Sequence, residues 1–269
     1  MKPITQLIIL TTALVLAAHT GMAKENPTES SEQQEPSAVP GVQEDSFSWS
    51  LGAGFIASPR PYKGTNAKLF PVPAVTVRYK RFFFQGIRGG FDFIQKGKFT
   101  ANVFAQARFR GLEPDDSPFL EGMTERRKSM DAGAEVIYQG RPVGFRIGFV
   151  SDVLGRSKGQ EVSFLAVTGA PLGKLGVVLV GFGPRWVSAN RVDYYYGVRE
   201  DEARPGRPAY QGEATWNLDL NVTTILNISK RLSLFVLLNR EGLGSAIENS
   251  PLVDRSAAYS LVTSFSYGF

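Results

Sequence analysis

Hydrophobic and polar residues alternate with a period of two along most of the chain. In the C-terminal segment Tyr259, Leu261, Thr263, Phe265, Tyr267 and Phe269 share one face, and Ser260, Val262, Ser264, Ser266 and Gly268 share the other. Between Glu213 and Ile228, the residues Trp216, Leu218, Leu220 and Val222 alternate with Thr215, Asn217, Asp219, Asn221 and Thr223. Shorter runs of the same kind cover Phe99–Phe109 and Val143–Val150. An extended strand puts every second side chain on one side, whereas a helix scatters this spacing around its axis. The pattern predicts an all-β protein.

Alternation by itself fits a soluble sandwich, with the apolar face inward, or a transmembrane barrel, with the apolar face in lipid. Three features select the barrel. Glu213–Ile228 is far longer than the roughly 5–6 residues of an ordinary strand. Phe47, Trp49, Tyr79, Tyr138, Trp186, Tyr267 and Phe269 fall near strand ends, where interfacial girdles sit. Connections alternate between short turns (around 80, 97, 141, 173 and 230) and long loops (59–69, 111–126, 154–160, 188–212 and 244–255). Short inner turns and long outer loops are the rhythm of an outer-membrane barrel.

A first division gives eleven strands: 47–58, 70–79, 82–95, 98–110, 127–139, 143–153, 161–171, 175–187, 213–228, 232–243 and 256–269. An odd number would place the termini on opposite sides. Splitting 82–95 at Gly86, Gly89 and Gly90 gives about twelve antiparallel strands, with ten as the alternative, and sends every long loop outward.

Residues 1–46 differ in kind. Met1 and Lys2 precede the apolar run Ile4–Ala18, which is too short to span a bilayer, and Gly21-Met22-Ala23 supplies small residues for cleavage after Ala23. Residues 1–23 are read as a secretory signal peptide and 24–46 as a disordered, acidic Pro/Ser/Glu-rich linker, leaving 47–269 as the barrel. Taking Lys2 and Lys24 from the 30 basic residues, and six acids from the 25, leaves 28 against 19 from Ser46 onward. The linker is acidic and the barrel basic.

The only histidine, His19, lies in the signal peptide, and the chain has no cysteine. The mature protein therefore lacks the side chains for Ser-His-Asp and Cys-His nucleophiles, thiolate or imidazole metal sites, and disulfides. Gly52-Ala53-Gly54 is followed by neither a helix nor a Lys-Ser or Lys-Thr pair, so it is not a phosphate loop; glycine in a strand eases curvature. Basic residues do not form a stripe with stacking aromatics, and export removes the chain from nucleic acid. The residues point to no enzyme and no cofactor. Basic residues in the outer loops face lipopolysaccharide, and those in the short turns face the periplasm.

The polar strand faces supply candidate lumen residues: Arg108, Asp131, Glu135, Arg146, Asp152, Glu213, Asn217, Asp219 and Asn221. They read either as a channel lining or as an internal network filling a narrow barrel. Tyr194, Tyr195 and Tyr196 are candidate outer-loop contacts, as a stacking platform or as part of the interfacial belt. Ser250-Pro251 reads as a turn. Phe265, Tyr267 and terminal Phe269 share the lipid face and form a candidate signal for the barrel assembly machinery.

Several motifs occur in an order that resembles the MipA/OmpV family of outer-membrane barrels in Gram-negative bacteria. They are Gly52-Ala53-Gly54, Pro61-Tyr62-Lys63-Gly64, Pro71-Val72-Pro73, Tyr79, Gly122-Met123, Tyr194-Tyr195-Tyr196-Gly197-Val198, Ser250-Pro251-Leu252-Val253 and Tyr267-Gly268-Phe269. The resemblance covers about Phe47 to Phe269. It implies an outer-membrane location and a scaffolding role in peptidoglycan growth, bridging a lytic transglycosylase and a bifunctional penicillin-binding protein. The alternatives are a small-solute channel and a surface adhesin or receptor working through Ser188–Gly212.

Overall fold

The computed structural model describes residues 47–269, so the expected signal peptide and linker lie outside the described residues. The strands begin with β1 (Phe47–Pro59), β2 (Ala67–Pro73), β3 (Thr76–Tyr79), β4 (Phe82–Gln85) and β5 (Arg88–Lys96). Then come β6 (Phe99–Arg108), β7 (Ser129–Tyr138), β8 (Val143–Asp152) and β9 (Gln160–Pro171). Last are β10 (Gly176–Val187), β11 (Thr215–Asn227), β12 (Leu232–Gly242) and β13 (Ala257–Gly268). Two helices, α1 (Ala189–Tyr196) and α2 (Ser245–Glu248), lie in the long outer loops.

Neighbouring strands pair antiparallel, and β13 pairs back onto β1 from Ser50↔Gly268 to Ala57↔Leu261, closing the ring. β2 lies against Ala53–Pro59 and β3 against Phe47–Ser50, in line on the same edge of β1. They are two halves of one strand interrupted at Ala74-Val75, so the wall is a closed barrel of 12 strands. The division at Gly86 is where β4 turns into β5, with Gly86 at φ 58°. Positive φ at that turn favours glycine.

The β4–β5 hairpin is short, and among the described residues β2 has no strand partner on its far side. Ala74 N–H donates to Gly52 O at 2.9 Å, so even-numbered backbone groups of this strand face β1. Odd-numbered groups face away, and Val75 O accepts from Gly86 N–H at 2.8 Å. Positions 71 and 73, both proline, therefore stand on the free edge. A free edge in lipid leaves N–H groups without acceptors, and proline has none to leave.

Lumen and lipid faces alternate as the period-two pattern requires. Phe265, Tyr267 and Phe269 are 52%, 39% and 64% exposed on the outer face. Near the short-turn end, ring contacts join Phe47 to Tyr79 (6.4 Å), Phe82 to Phe91 (4.9 Å) and Phe99 to Tyr138 (4.9 Å). Across the closing seam Trp49 and Phe269 stack at 3.9 Å with planes 3° apart, and Phe269 N–H donates to Trp49 O at 3.2 Å. Gly52 serves the same seam, since a Cβ there would lie 1.8 Å from Phe265 O. Close approach of β13, rather than curvature alone, explains that glycine.

Two predictions follow from the wall. Pro71→Thr with Pro73→Thr restores two N–H donors to the free edge. It is expected to cost about 1–3 kcal/mol per unsatisfied donor, read as a lower midpoint for loss of heat-modifiable migration on gels. An unchanged midpoint would mean that the edge is solvated or paired. Trp49→Ala and deletion of Phe269 each remove the same stack, worth about 0.5–1.5 kcal/mol beyond area burial, so their effects on the purified barrel are expected to be less than additive. In cells, only deletion of Phe269 is expected to leave processed, uninserted protein. Equal insertion defects for both variants would reduce Phe269 to a seam residue.

Candidate functional site

The lumen is organised in layers. At its outer end four arginines meet four carboxylates. Arg191 donates to Asp131 Oδ1 at 2.9 Å and to Glu161 Oε1 at 2.7 Å. Arg108 pairs with Asp131 and lies 3.4 Å from Glu161. Arg185 donates to Asp219 Oδ1 at 2.6 Å and stands 3.0 Å from Glu241 Oε1. Arg110 donates to Glu241 Oε2 at 2.9 Å, and Asn217 Nδ2 donates to Glu241 Oε1 at 2.7 Å. All eight charged side chains are buried. Charges sealed from water are tolerated only when paired and hydrogen-bonded, and this belt supplies one cation for each anion.

Further down the lumen its two sides differ. On the β1–β2 and β9–β13 side, Ile56, Leu165, Val167, Leu179, Leu237 and Val262 form an apolar layer that Phe70, Val72, Val177 and Phe235 extend. On the β4–β8 side Arg88 donates to Glu135 Oε1 at 2.7 Å and to Asn102 Oδ1 at 3.1 Å. Arg146 Nε lies 3.4 Å from Glu135 Oε2. Arg78 donates to Asp92 at 2.7 Å, as does Gln95.

Outer loops cover the mouth. Tyr62, Leu112, Leu120, Met123, Val187, Val192, Tyr195, Tyr196, Val198, Leu243, Ile247, Leu252 and Val253 pack into one apolar core above the belt. Polar contacts lock it. Arg126 clasps Glu202 through two hydrogen bonds of 2.9 and 2.6 Å, Tyr62 Oη donates to Tyr195 O at 3.0 Å, and Ser250 Oγ donates to Tyr196 O at 2.6 Å. Burial pushes the Tyr196 phenol up to about 12, with Arg110 beside it pulling the other way. Burial also raises the Glu202 carboxyl, but hydrogen bonds from Arg126 and from the Thr124 and Arg199 N–H groups outweigh it and hold Glu202 down at about 2. Beside this cap lies an open cavity of about 520 Å³, lined by Lys158, Asn190, Asp193, Tyr194, Arg199 and Tyr210 among others.

The structure brings Arg108, Asp131, Asn217 and Asp219 into the charged belt, and Glu135 and Arg146 into the lower cluster. Asp152 sits at the outer end of β8, accepting from Ser129 Oγ (2.5 Å), Ser157 N–H (2.5 Å), Ser157 Oγ (2.9 Å), Leu154 N–H (3.1 Å) and Lys158 N–H (3.1 Å). It ties down the β8–β9 loop. Asn221 is buried with its Oδ1 unpartnered, and Glu213 is exposed ahead of β11. Tyr195 and Tyr196 are 1% and 2% exposed on α1 inside the cap, which makes them neither a lipid belt nor an open platform. Tyr194 is half-buried, with its hydroxyl accepting from Arg127 N–H at 2.9 Å. Ser250 starts a turn, as read from the sequence, and also anchors the cap. Glu161, Arg185 and Glu241 were missed although each has lumen parity on its strand; their faces also carry Leu165, Leu179 and Leu237, which hides the polar signal. Arg191 reaches the belt from a loop helix, where no strand parity exists to find it. Among the described residues no three metal-ligating side chains gather.

A family model described as MltA-interacting protein MipA matches residues 51–269. The MltA-interacting protein of Escherichia coli (strain K12) is 27% identical over 234 residues, covering 85% of this chain and 93% of that protein. Outer membrane protein OmpV of Vibrio cholerae serotype O1 is 26% identical over 161 residues, covering 58% of this chain and 61% of OmpV. Among solved structures, an outer membrane channel from Pseudomonas putida F1 aligns with a TM-score of 0.45 and 12% identity over 87% of this chain and all (100%) of that one. The chain is a protein of the bacterial outer membrane.

Glu202 makes the cap acid-sensitive. Its carboxyl is lower in the folded state than the ordinary 4.5, so the stability it contributes is complete above 4.5 and is lost as the pH falls toward about 2. Glu202→Gln leaves Arg126 buried without its partner, at a cost of about 3–5 kcal/mol to cap closure. The expected outcome is rapid proteolysis within 188–212 at neutral pH, with a flatter pH dependence between those limits than in the parent barrel. A variant as resistant as the parent would show that the apolar core alone holds the cap.

Proposed function

Because the chain belongs to the MltA-interacting protein MipA family, we propose that it is a non-enzymatic outer-membrane scaffold whose periplasmic end holds peptidoglycan enzymes. The observation that carries the reading is the filled barrel. The lumen side chains are buried from the belt to the apolar layer, and a loop core covers the mouth. A barrel filled in this way offers solutes no aqueous path, which leaves its ends as working surfaces.

The periplasmic end suits an anionic partner. Its turns carry Lys80, Arg81, Lys96, Lys98, Arg141, Lys174, Lys230 and Arg231, all exposed, and no acidic residue. Such a rim raises encounter rates with negatively charged surfaces and fixes orientation. The relative from Escherichia coli is named for interaction with MltA. The proposed partners here are of the same kind, a lytic transglycosylase together with a penicillin-binding protein.

The test reverses the rim while leaving the barrel alone. Lys80→Glu, Arg81→Glu, Lys230→Glu and Arg231→Glu together are expected to abolish recovery of the transglycosylase from crosslinked envelopes, with heat-modifiable migration unchanged. Recovery at the parent level would overturn the docking surface. In planar bilayers the parent protein is expected to stay closed at all voltages; steady conductance would favour the channel reading instead.

A further inference from the structure

The lumen charges do not all balance locally. The outer belt matches Arg108, Arg110, Arg185 and Arg191 with Asp131, Glu161, Asp219 and Glu241, and Arg78 is matched by Asp92. In the lower cluster two arginines, Arg88 and Arg146, share the single carboxylate of Glu135. Asp152 does not make up the difference. It lies six residues further along β8, roughly 20 Å away at 3.3 Å per residue, and its oxygens are taken by the serine and backbone donors of the outer rim. The lower cluster therefore holds one buried positive charge in excess, inside a wall surrounded by lipid.

Unmet hydrogen-bonding capacity, which Arg108, Arg185 and Arg191 of the belt show in part, is greatest at Arg146. Arg146 is 1% exposed, and none of its three guanidinium nitrogens has a hydrogen-bond partner. Arg88 is equally buried, with Nε and Nη1 unpartnered. One face of Arg88 is closed by the Phe104 ring, 3.2 Å from ring centre to guanidinium carbon, and Phe83, Phe104 and Val150 pack together beside it. Planar guanidinium forks with free N–H groups, against an apolar wall, favour a compact anion that restores charge balance.

We propose that the guanidinium groups of Arg88 and Arg146, which meet at Glu135, form a buried site for one small monovalent inorganic anion of the halide class, which completes the charge balance of the lumen. The site stands on charge and donor count and does not depend on the scaffold reading.

The test refolds the full barrel in bromide or chloride, and in gluconate at the same ionic strength. Gluconate is too bulky for a compact site. An anion that binds only the folded state raises the unfolding midpoint with its concentration. The parent midpoint for heat-modifiable migration is expected to rise by several degrees in halide. Arg146→Met removes the excess charge and is expected to abolish that rise, whereas Glu135→Gln enlarges the excess and is expected to steepen it. The same halide response in all three proteins, or none in the parent, overturns the site. Where Arg146→Met does not fold, crystals of the parent grown in bromide decide. An anomalous peak within hydrogen-bond distance of Arg146 and Arg88 supports the proposal, and water alone at that position refutes it.

Discussion

Inside a bilayer an unpaired backbone N–H has no water to turn to, and each one left exposed costs several kcal/mol. The architecture follows from that constraint. Strands are tolerated in lipid only when the sheet has no edges, so β13 must return to β1. The seam is reinforced by the Trp49–Phe269 stack on the lipid side and by Gly52 letting the strands approach. Where the ring is incomplete, beside β2, the edge carries Pro71 and Pro73 in the two positions whose N–H groups would otherwise face the gap. The same rule thus accounts for the closure and for its one local exception.

Closing the ring turns one face of every strand inward, and where inward side chains bury one another the constraint passes from backbone to side chains. Polar residues on the inner face must satisfy one another. Arginine suits the task because one planar fork reaches two carboxylates, as Arg191 reaches Asp131 and Glu161 and Arg185 reaches Asp219 and Glu241. Glu161 and Glu241 in turn meet partners from more than one strand, and Asp131 from β6 and α1. The network therefore fixes the relative register of β6, β7, β9, β10, β11 and β12 from within, adding to the backbone ladders outside.

Much of this wall is legible in the sequence, and the reason is physical. Period two survives wherever one face meets lipid and the other a polar lumen, so β11 and β13 read clearly, and parity of the termini forces the split near Gly86 that the structure contains. Legibility fails where the two faces stop differing. On β9 and β12 the inner face mixes Glu161 or Glu241 with Leu165 or Leu237, because the lower lumen is apolar on that side. The break at Ala74-Val75 leaves no mark in alternation, since β2 and β3 keep the same inner face. The cap was not legible at all. Its helix α1 is only eight residues long, and what buries Tyr195 and Tyr196 is contact with Tyr62, Leu120 and Leu252, which are distant in the chain.

The cap and the belt form one mechanical unit, and this bears on what the barrel can do. Arg191 projects from α1 down to Asp131 and Glu161, while Arg110, at the root of a neighbouring loop, joins Glu241 to the Tyr196 hydroxyl. Lifting α1 would strip Arg191 from two carboxylates that are themselves sealed from water. Breaking a buried pair while leaving one partner behind costs about 3–5 kcal/mol, and here the apolar core of the loops would have to separate as well. Thermal fluctuation alone does not supply that sum at an appreciable population, because each 1.4 kcal/mol lowers the open fraction tenfold. A solute would need binding energy for the open form of the same size before passage became common. In the resting barrel, cap and belt are accordingly held together as one unit across the outer mouth.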